Sequence, residues 1–392
     1  MPSTLPVTPI PGFRRVLRWL HMTCGLVIAL YAVVIGLTGS ILVFHDELSA
    51  LVRPELHRFP AEPQPFLLTS DDALAVAQKS LPGWQPISLT WPNAETPHWM
   101  VYMLRGPDAR EVYVETASGT LAGVHNPGVG ADSDWLGWVG RLHVSLLSGS
   151  VGRTLNGIGA WLLLGMTLSG IVVWWPSGSS TGLATRLRGR FRVDFPHGRS
   201  ATEWRRFVWQ LHQVVGSVSL MFVLLVAFTG TYYVWLPNYI KLLDRFFTRS
   251  VDPKISRSTT PQTGKSPVKR MEELARIAQQ QLPDRPLFRA SIPVPGQPVR
   301  ITLLEGRPQQ FHRVSSVALD PVTGAVLQRS AFDQRPTGNS ILTWFSVLHF
   351  GRFGGDGIGF LLVKALWSLL ALSLPVLAVT GFWMWWKRVM RR

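Results

Sequence analysis

Four long, almost uncharged runs constrain this chain more than any other feature of its sequence. Each run is long enough to cross a hydrocarbon core of about 30 Å, which takes about 20 helical residues. The 392 residues are 46% hydrophobic and include 17 Trp, a composition typical of a membrane protein that also has soluble parts. The sequence therefore predicts a four-transmembrane-helix bundle, with spans within residues 24–44, 155–175, 207–240 and 365–386.

The net charge of +16 is concentrated in three short segments that flank these runs. Because basic residues mark the cytoplasmic ends of membrane spans, the pattern predicts that both termini are cytoplasmic, and it argues against a nucleic-acid partner. The first run is too long for a signal peptide and no small-x-small site follows it, so we expect it to remain as an anchor. The basic residues are Arg14, Arg15, Arg18, Arg186, Arg188, Arg190, Arg192, Arg199, Arg205, Arg206, Lys387, Arg388, Arg391 and Arg392.

The two long loops between the runs share one pattern. Each begins with an amphipathic helical segment, SDDALAVAQKSLPG or SPVKRMEELARIAQQQLPD, and continues with strand–turn–strand segments such as EVYVETASGTLAGV and VSSVALDPVTGAVLQ. This order predicts two small outward-facing α+β domains. The expected segments are 1–46 (terminus and helix 1), 47–135 (first α+β domain), 136–176 (edge segment and helix 2), 177–203 (basic loop), 204–237 (helix 3), 238–339 (second α+β domain) and 340–392 (edge segment, helix 4 and tail).

Histidines recur at matched positions in the two halves. His21 and His212 are each followed after four residues by glycine, and after 17 and 18 residues by Thr-Gly. His143 and His349 each follow a leucine, precede a glycine-rich break and lie 18 residues before a tryptophan, although the second copy is then five residues longer before its Gly-x₃-Trp-Trp sequence. The chain is therefore interpreted as a parallel internal repeat of helix, outer domain and helix.

Imidazoles in or beside membrane spans are candidate ligands, because an unpaired polar group in hydrocarbon is costly. Any one of them alone is equally well explained as an interfacial histidine, but the fourfold repetition favours a ligand role. Zinc fits less well, since no Cys, Asp or Glu accompanies them at ligand spacing in the spans. Haem fits better, because facing helices can supply one axial imidazole from each side. The topology places His21 and His212 towards the cytoplasm and His143 and His349 near the outer surface, which suits electron transfer through two haems.

Four further residues are candidates for supporting roles. Arg18 lies near the inner pair, and Arg141 and Arg352 lie near the outer pair. Each is suited to bind a haem propionate, and each is equally well explained as a basic residue that sets the membrane orientation. His45 follows His21 by 24 residues, about 36 Å along a straight helix. The equivalent position in the second half is Leu236, so the repeat gives His45 no partner. We therefore favour a substrate contact or an interfacial position for His45 over a role as an alternative outer haem ligand.

The motif Leu-His-x₃-Gly with its later Thr-Gly, the segment LHFGRFGG before the last helix, and the outer VYVETASGTLAG and VALDPVTGAVLQ resemble the PepSY-associated transmembrane family. Within it they resemble FoxB-type ferric-siderophore reductases of the bacterial inner membrane. The resemblance implies two haems b held by His21 with His212 and His143 with His349, and periplasmic reduction of a ferric siderophore to release Fe(II). Without a dinucleotide-binding or P-loop motif in the sequence, the electron donor would be a quinol or a cytoplasmic reductase.

Two other functions remain open from the sequence. In the first, the protein would be a regulatory or assembly membrane anchor without redox activity, and its outer domains would bind a partner protein. Alternatively, the helices would transport a siderophore or iron. Transporters typically have broken helices that line a midplane cavity, whereas the glycine-rich breaks here lie at the outer edge and Lys364 is the charged residue well inside a span.

Overall fold

The computed structural model divides into two compact units, each assembled from separated pieces of the chain. The membrane unit contains Met1–Phe44, Val139–Tyr239 and Leu348–Arg392, and the sheet unit contains His45–Trp138 and Ile240–Val347. Arg199, Arg391 and Arg392, which entered the orientation argument, lie outside the described residues. The structure describes residues 11–59, 68–93, 95–127, 134–176, 183–198, 200–250, 267–294, 296–308, 310–355 and 357–390.

The described residues form helices and eight strands in the following chain order. The elements are α1 (Pro11–Val27), α2 (Ala29–Leu42), α3 (His45–Val52), α4 (Pro54–His57), α5 (Ser70–Ser80), β1 (Gln85–Thr90), β2 (Trp99–Arg105), β3 (Asp108–Val114), β4 (Leu121–His125), α6 (Trp135–Ser145), α7 (Gly149–Trp174), α8 (Leu183–Arg190), α9 (Ala201–Val234), α10 (Leu236–Leu243), α11 (Met271–Gln281), β5 (Leu287–Ser291), β6 (Val299–Leu304), β7 (Val314–Leu319), β8 (Val326–Ser330), α12 (Thr337–Phe350), α13 (Ile358–Ala371) and α14 (Ser373–Val389).

Three described helical segments are long and apolar enough to cross a membrane: Gly149–Trp174, Ala201–Val234 and Ile358–Val389. A fourth crossing is formed if α1 and α2, which meet at an angle of 62°, act as one broken span. The chain is thus a multi-pass membrane protein with three to four candidate spans. The expectation of a straight first helix is wrong, because the helix breaks at Ile28 (φ −96°, ψ 5°). The distance of about 36 Å from His21 to His45 therefore does not apply.

The break between α13 and α14 has a clear chemical cause. Pro375 has no N–H, so it cannot donate to the carbonyl of Ala371 four residues earlier. Helix α2 packs against this break through Gly36, where a Cβ would lie 2.5 Å from Pro375 Cδ and 2.8 Å from Ala371 O. A hydrogen bond of 2.6 Å between the hydroxyls of Ser40 and Ser368 extends the contact. Close helix packing in the bundle therefore depends on a glycine at position 36.

The sheet unit contains one continuous sheet, and the prediction of two separate small domains is wrong in this respect. The strand order is β4-β3-β2-β1-β5-β6-β7-β8, and the two segments join where β1 pairs antiparallel with β5. Alternating strand residues such as Val101 and Ile301 are buried with Ala77 of α5 and Leu274 of α11 in a single core. Each segment does supply one of these helices and four strands, so the pattern within each segment was predicted correctly.

The helices of the two segments also cap each other. Asp71, in the first turn of α5, accepts hydrogen bonds from the backbone N–H groups of Met271 (2.9 Å) and Glu272 (3.0 Å) at the start of α11. In return, Glu272 accepts from the N–H (3.2 Å) and the hydroxyl (2.8 Å) of Ser70. N–H groups at helix starts lack intrahelical partners, so each carboxylate satisfies donors of the other helix and fixes the two segments together.

Candidate functional site: four histidines anchored by hydroxyl groups

Each of the four histidines singled out by the repeat makes the same hydrogen bond to a neighbouring helix. In every case the imidazole Nδ1 lies within 3.0 Å of a serine or threonine hydroxyl. The pairs are His21 with Ser169 (3.0 Å), His143 with Thr38 (2.8 Å), His212 with Thr380 (2.8 Å) and His349 with Thr229 (2.7 Å). The helices α1, α6, α9 and α12 supply the imidazoles, and α7, α2, α14 and α9 supply the hydroxyls.

The hydrogen bonds of the hydroxyl groups determine which ring nitrogen of each imidazole carries the hydrogen. Each hydroxyl donates its own hydrogen to a backbone carbonyl in the preceding turn of its helix: Thr38 to Val34 (2.7 Å), Thr229 to Leu225 (2.7 Å), Thr380 to Val376 (2.7 Å) and Ser169 to Met166 (2.9 Å). Because a hydroxyl has a single hydrogen, its oxygen is left to accept from Nδ1–H. The imidazoles are therefore held as Nδ1–H tautomers, with a lone pair on Nε2.

A glycine follows each of these hydroxyl residues, and three of the four glycines lie against the imidazole. A Cβ at Gly39 would lie 3.1 Å from Cε1 of His143, and one at Gly170 would lie 3.2 Å from Cε1 of His21. At Gly381 the corresponding distance to His212 is 3.5 Å, whereas at Gly230 a Cβ would meet Ala160 rather than a histidine. The Ser/Thr-Gly pair thus combines a hydrogen-bond acceptor with space for the ring beside it.

The four imidazoles fall into two groups in space. His21 lies close enough to His212 for their charges to interact, and the same holds for His143 and His349. These are the combinations that the internal repeat predicts. Among the described residues, no protein group donates a hydrogen bond to Nε2 of any of these four imidazoles. The lone pairs on Nε2 are therefore available to a ligand, two in each pair of histidines.

The segments after His143 and His349 turn sharply at the breaks noticed in the sequence. After His143 the backbone has positive φ at Leu146 (47°), Leu147 (58°) and Gly149 (56°). The amide of Asn156 then donates to the carbonyl of His143 at 2.8 Å. In the second half, the turn is formed by glycines with positive φ. Its helix end is held by the indole N–H of Trp367, which donates to the carbonyl of Leu348 at 2.8 Å. Different side chains therefore anchor the two equivalent helix ends.

The remaining sequence candidates have other surroundings. Arg18 is exposed on α1. Arg141 and Arg352 are half-buried and already have interaction partners, and the guanidinium of Arg352 lies 5.5 Å from the ring centroid of Phe350. His45 begins α3, where its Nδ1 lies 3.3 Å from Asp46 Oδ1 and its side chain is 45% exposed. His45 therefore lacks the hydroxyl anchor that the other four share.

Sequence reasoning missed the roles of Ser169, Thr380, Arg14 and Arg190. The glycines after Ser169 and Thr380 were recognised as a repeat, and the hydroxyl residue before each glycine was an available signal. Arg14 donates through Nη2 to the carbonyls of Val172 (2.9 Å) and Trp175. Arg190 donates through Nη1 to Oε1 of Gln213 at 3.3 Å. Gln213 is the residue next to His212, so both arginines belong to the surroundings of His21 and His212.

The sheet unit contains a separate polar cluster that involves Glu111 of β3. Its Oε2 accepts from Nδ1 of His125 at 3.0 Å and from the hydroxyl of Tyr113 at 3.1 Å. Burial acts to raise the pKa of Glu111, but the hydrogen bonds and the charges of His125 and Arg53 outweigh it and lower the pKa from its ordinary value. The nearby ion pair of Arg53 with Asp134 has an N–O distance of 3.1 Å. Glu111 is therefore an ionised group that stabilises this part of the sheet.

The fold and the site together define a class: a multi-pass membrane protein with a repeated set of anchored histidines and a separate antiparallel sheet unit. The family model described as PepSY-associated TM region matches residues 18–388, so the chain belongs to this family. No curated protein matches the chain.

Proposed function

We propose that this protein carries two haems b and transfers electrons across the bacterial inner membrane to reduce a ferric siderophore on the periplasmic side. The observation that carries the proposal is the set of four imidazoles, each anchored through Nδ1, with Nε2 available in two pairs. Metal-bound histidines typically donate the other ring N–H to a protein acceptor, which fixes the tautomer and the ring orientation. The four hydroxyl anchors would have this role for haem held by the imidazoles.

The donor set suits haem iron better than other metals. His21 with His212, and His143 with His349, would each provide two neutral nitrogen ligands. Among the described residues, no thiolate or carboxylate joins either pair to form a larger metal-binding group. Each pair of imidazoles would hold one haem. When bound, each haem would supply a one-electron Fe(III)/Fe(II) couple. Because two protein imidazoles would hold each haem, the chemistry supplied would be electron transfer rather than oxygen chemistry.

The substrate is proposed from the resemblance to ferric-siderophore reductases together with the chemistry of iron. Siderophores bind Fe(III) through hard oxygen ligands, and Fe(II) binds such ligands less tightly, so reduction releases the metal. The proposed orientation has both termini in the cytoplasm. A membrane quinol or a cytoplasmic reductase would supply the electrons, because the sequence has no nucleotide-binding motif of its own.

The visible spectrum of the detergent-purified protein, oxidised and dithionite-reduced, tests this function. We expect about two low-spin b-type haems per chain. His212→Ala or His349→Ala should each remove about one of them, whereas His197→Ala, which changes an exposed histidine, should remove none. Reduced protein should then be reoxidised by a ferric hydroxamate siderophore. A colourless protein, even after haem supplementation during expression, would contradict the proposal and favour a regulatory or assembly anchor.

A further inference from the structure

Two arginines lie together beside the His21 and His212 pair. Arg14 is seven residues before His21 on α1, which is two helical turns, so both side chains lie on one face about 10 Å apart along the axis. Arg14 is bonded to the end of α7 at Val172, within one turn of the serine that anchors His21. Arg190, at the end of α8, is bonded to Gln213, the neighbour of His212. The bonds of both arginines thus connect them to the two histidine positions.

These two cations lie on neighbouring elements and lack a carboxylate partner among the described residues. Arg14 is bonded to the carbonyls of Val172 and Trp175, and the ring of Trp174 lies 5.9 Å from that of Phe191, the residue after Arg190. Burial and then the charge of Arg14 lower the pKa of Arg190, which is a sign of two like charges close together. Among the described residues, neither arginine is within ion-pair distance of an acid. The nearby Asp194 already binds Arg192 and Arg206, each at 2.6 Å.

Arg14 also has a donor without an acceptor. Its Nε is buried and has no hydrogen-bond partner among the described residues. A buried N–H of a charged group that lacks an acceptor is costly, and two adjacent guanidinium groups without a counter-ion add to that cost. An anion bound between the two arginines would remove both penalties.

We propose that Arg14 and Arg190 bind the propionate carboxylates of the haem held by His21 and His212; this inference rests on the proposed function. Guanidinium groups match carboxylates with two parallel hydrogen bonds. Both arginines are fixed through α7 and Gln213 to the elements that position the two histidines, which suits a ligand shared with those histidines better than a lipid headgroup. Arg14 thereby takes the role that the sequence suggested for Arg18, whose side chain is exposed.

The experiment compares Arg14→Gln and Arg190→Gln with two matched controls in the full-length protein. Arg18→Gln changes an exposed arginine one turn further along α1, and Arg188→Gln changes an exposed arginine of α8. The readouts are haem per chain and the midpoint potentials from a spectroscopic redox titration. A cation beside the propionates favours the added electron. Each of the two variants should therefore lower one of the two midpoints, by about tenfold in the reduction equilibrium or ~59 mV for a one-electron couple.

The outcomes distinguish a failure of the propionate assignment from a failure of the proposed haem-dependent function. The assignment is supported if one midpoint falls in Arg14→Gln and Arg190→Gln, stays at the wild-type value in both controls, and is largely restored by Arg14→Lys, which keeps the charge. It is overturned if both variants fold, as judged by size-exclusion chromatography, and retain both haems and both midpoints. If they instead lose only co-purified anionic phospholipid, the site binds a headgroup and the assignment is also overturned. A wild-type protein without haem would contradict the proposed function itself.

Discussion

Thr38 and Thr229 occupy equivalent positions in the two halves of the chain, and each accepts a hydrogen bond from the Nδ1 atom of a histidine, at 2.8 Å and 2.7 Å. Both are almost completely buried. Threonine in a helix often bonds its hydroxyl hydrogen to the preceding turn, and here that bond leaves the oxygen as an acceptor. The repeated Thr-Gly sequence is thus explained as a device that orients an imidazole.

Replacing this hydroxyl should weaken the proposed haem site of His143 and His349 while preserving its shape. Thr229→Val or Thr38→Val removes the acceptor of Nδ1–H at nearly constant volume. Loss of such a supporting partner typically lowers metal affinity by about 10- to 100-fold, so the purified variants should lose one haem more readily when titrated with a haem-accepting apoprotein. Thr167→Val is the control, because that hydroxyl donates to Leu163 at 2.8 Å and is not bonded to a histidine among the described residues. Equal haem retention in all three variants would refute the anchoring role.

Gly36→Ala should destabilise the membrane unit. The new methyl group would collide with Pro375 and with the carbonyl of Ala371, at 2.5 Å and 2.8 Å, so α2 and the α13–α14 break would have to separate. Overpacking of this kind costs roughly 1–3 kcal/mol, and the apparent melting temperature in detergent should fall. Gly165→Ala is the control, since a Cβ there meets nothing within 4 Å. A melting temperature as high as that of the control would show that the contact is not tight.

Glu111 should make the sheet unit sensitive to acid. Its pKa is lower in the folded chain than its ordinary value of 4.5, so ionised Glu111 favours the folded state at neutral pH. This contribution is complete above pH 4.5 and is lost as the pH falls through the lowered pKa. Glu111→Gln should cost about 1–3 kcal/mol at neutral pH and should flatten the acid response.

Hydrogen exchange of peptides from β3 and β4 measures this effect. Above pH 5, the wild type should protect these peptides better than Glu111→Gln, and the difference should shrink on acidification. Asp108→Asn, which changes an exposed carboxylate at the start of the same strand, should behave like the wild type. A difference between wild type and Glu111→Gln that does not change with pH would mean that the charge of Glu111 contributes nothing.

The sequence predicted the apolar runs and the helix and strands of each long loop, because each follows from hydrophobic period. Repetition singled out the four histidines, which share a hydroxyl anchor in the structure. It did not predict the pairing of β1 with β5, since an edge strand carries no local sign of its distant partner. The bend at Ile28 occurs without a proline, so the sequence did not indicate it. Arg14 and Arg18 lie one turn apart on α1, and only the packing of α7 against that helix distinguishes the bonded arginine from the exposed one.

The central pairing of β1 with β5 has a consequence for biosynthesis. β1 ends at Thr90 and β5 begins at Leu287, so the ribosome must complete two apolar helices before the partner strand exists. Until then, β1 presents an open row of backbone donors and acceptors, which invites pairing with other chains. The first half is therefore an obligate intermediate rather than a self-sufficient module. A chain truncated after α7 is expected to be a substrate for quality-control proteases.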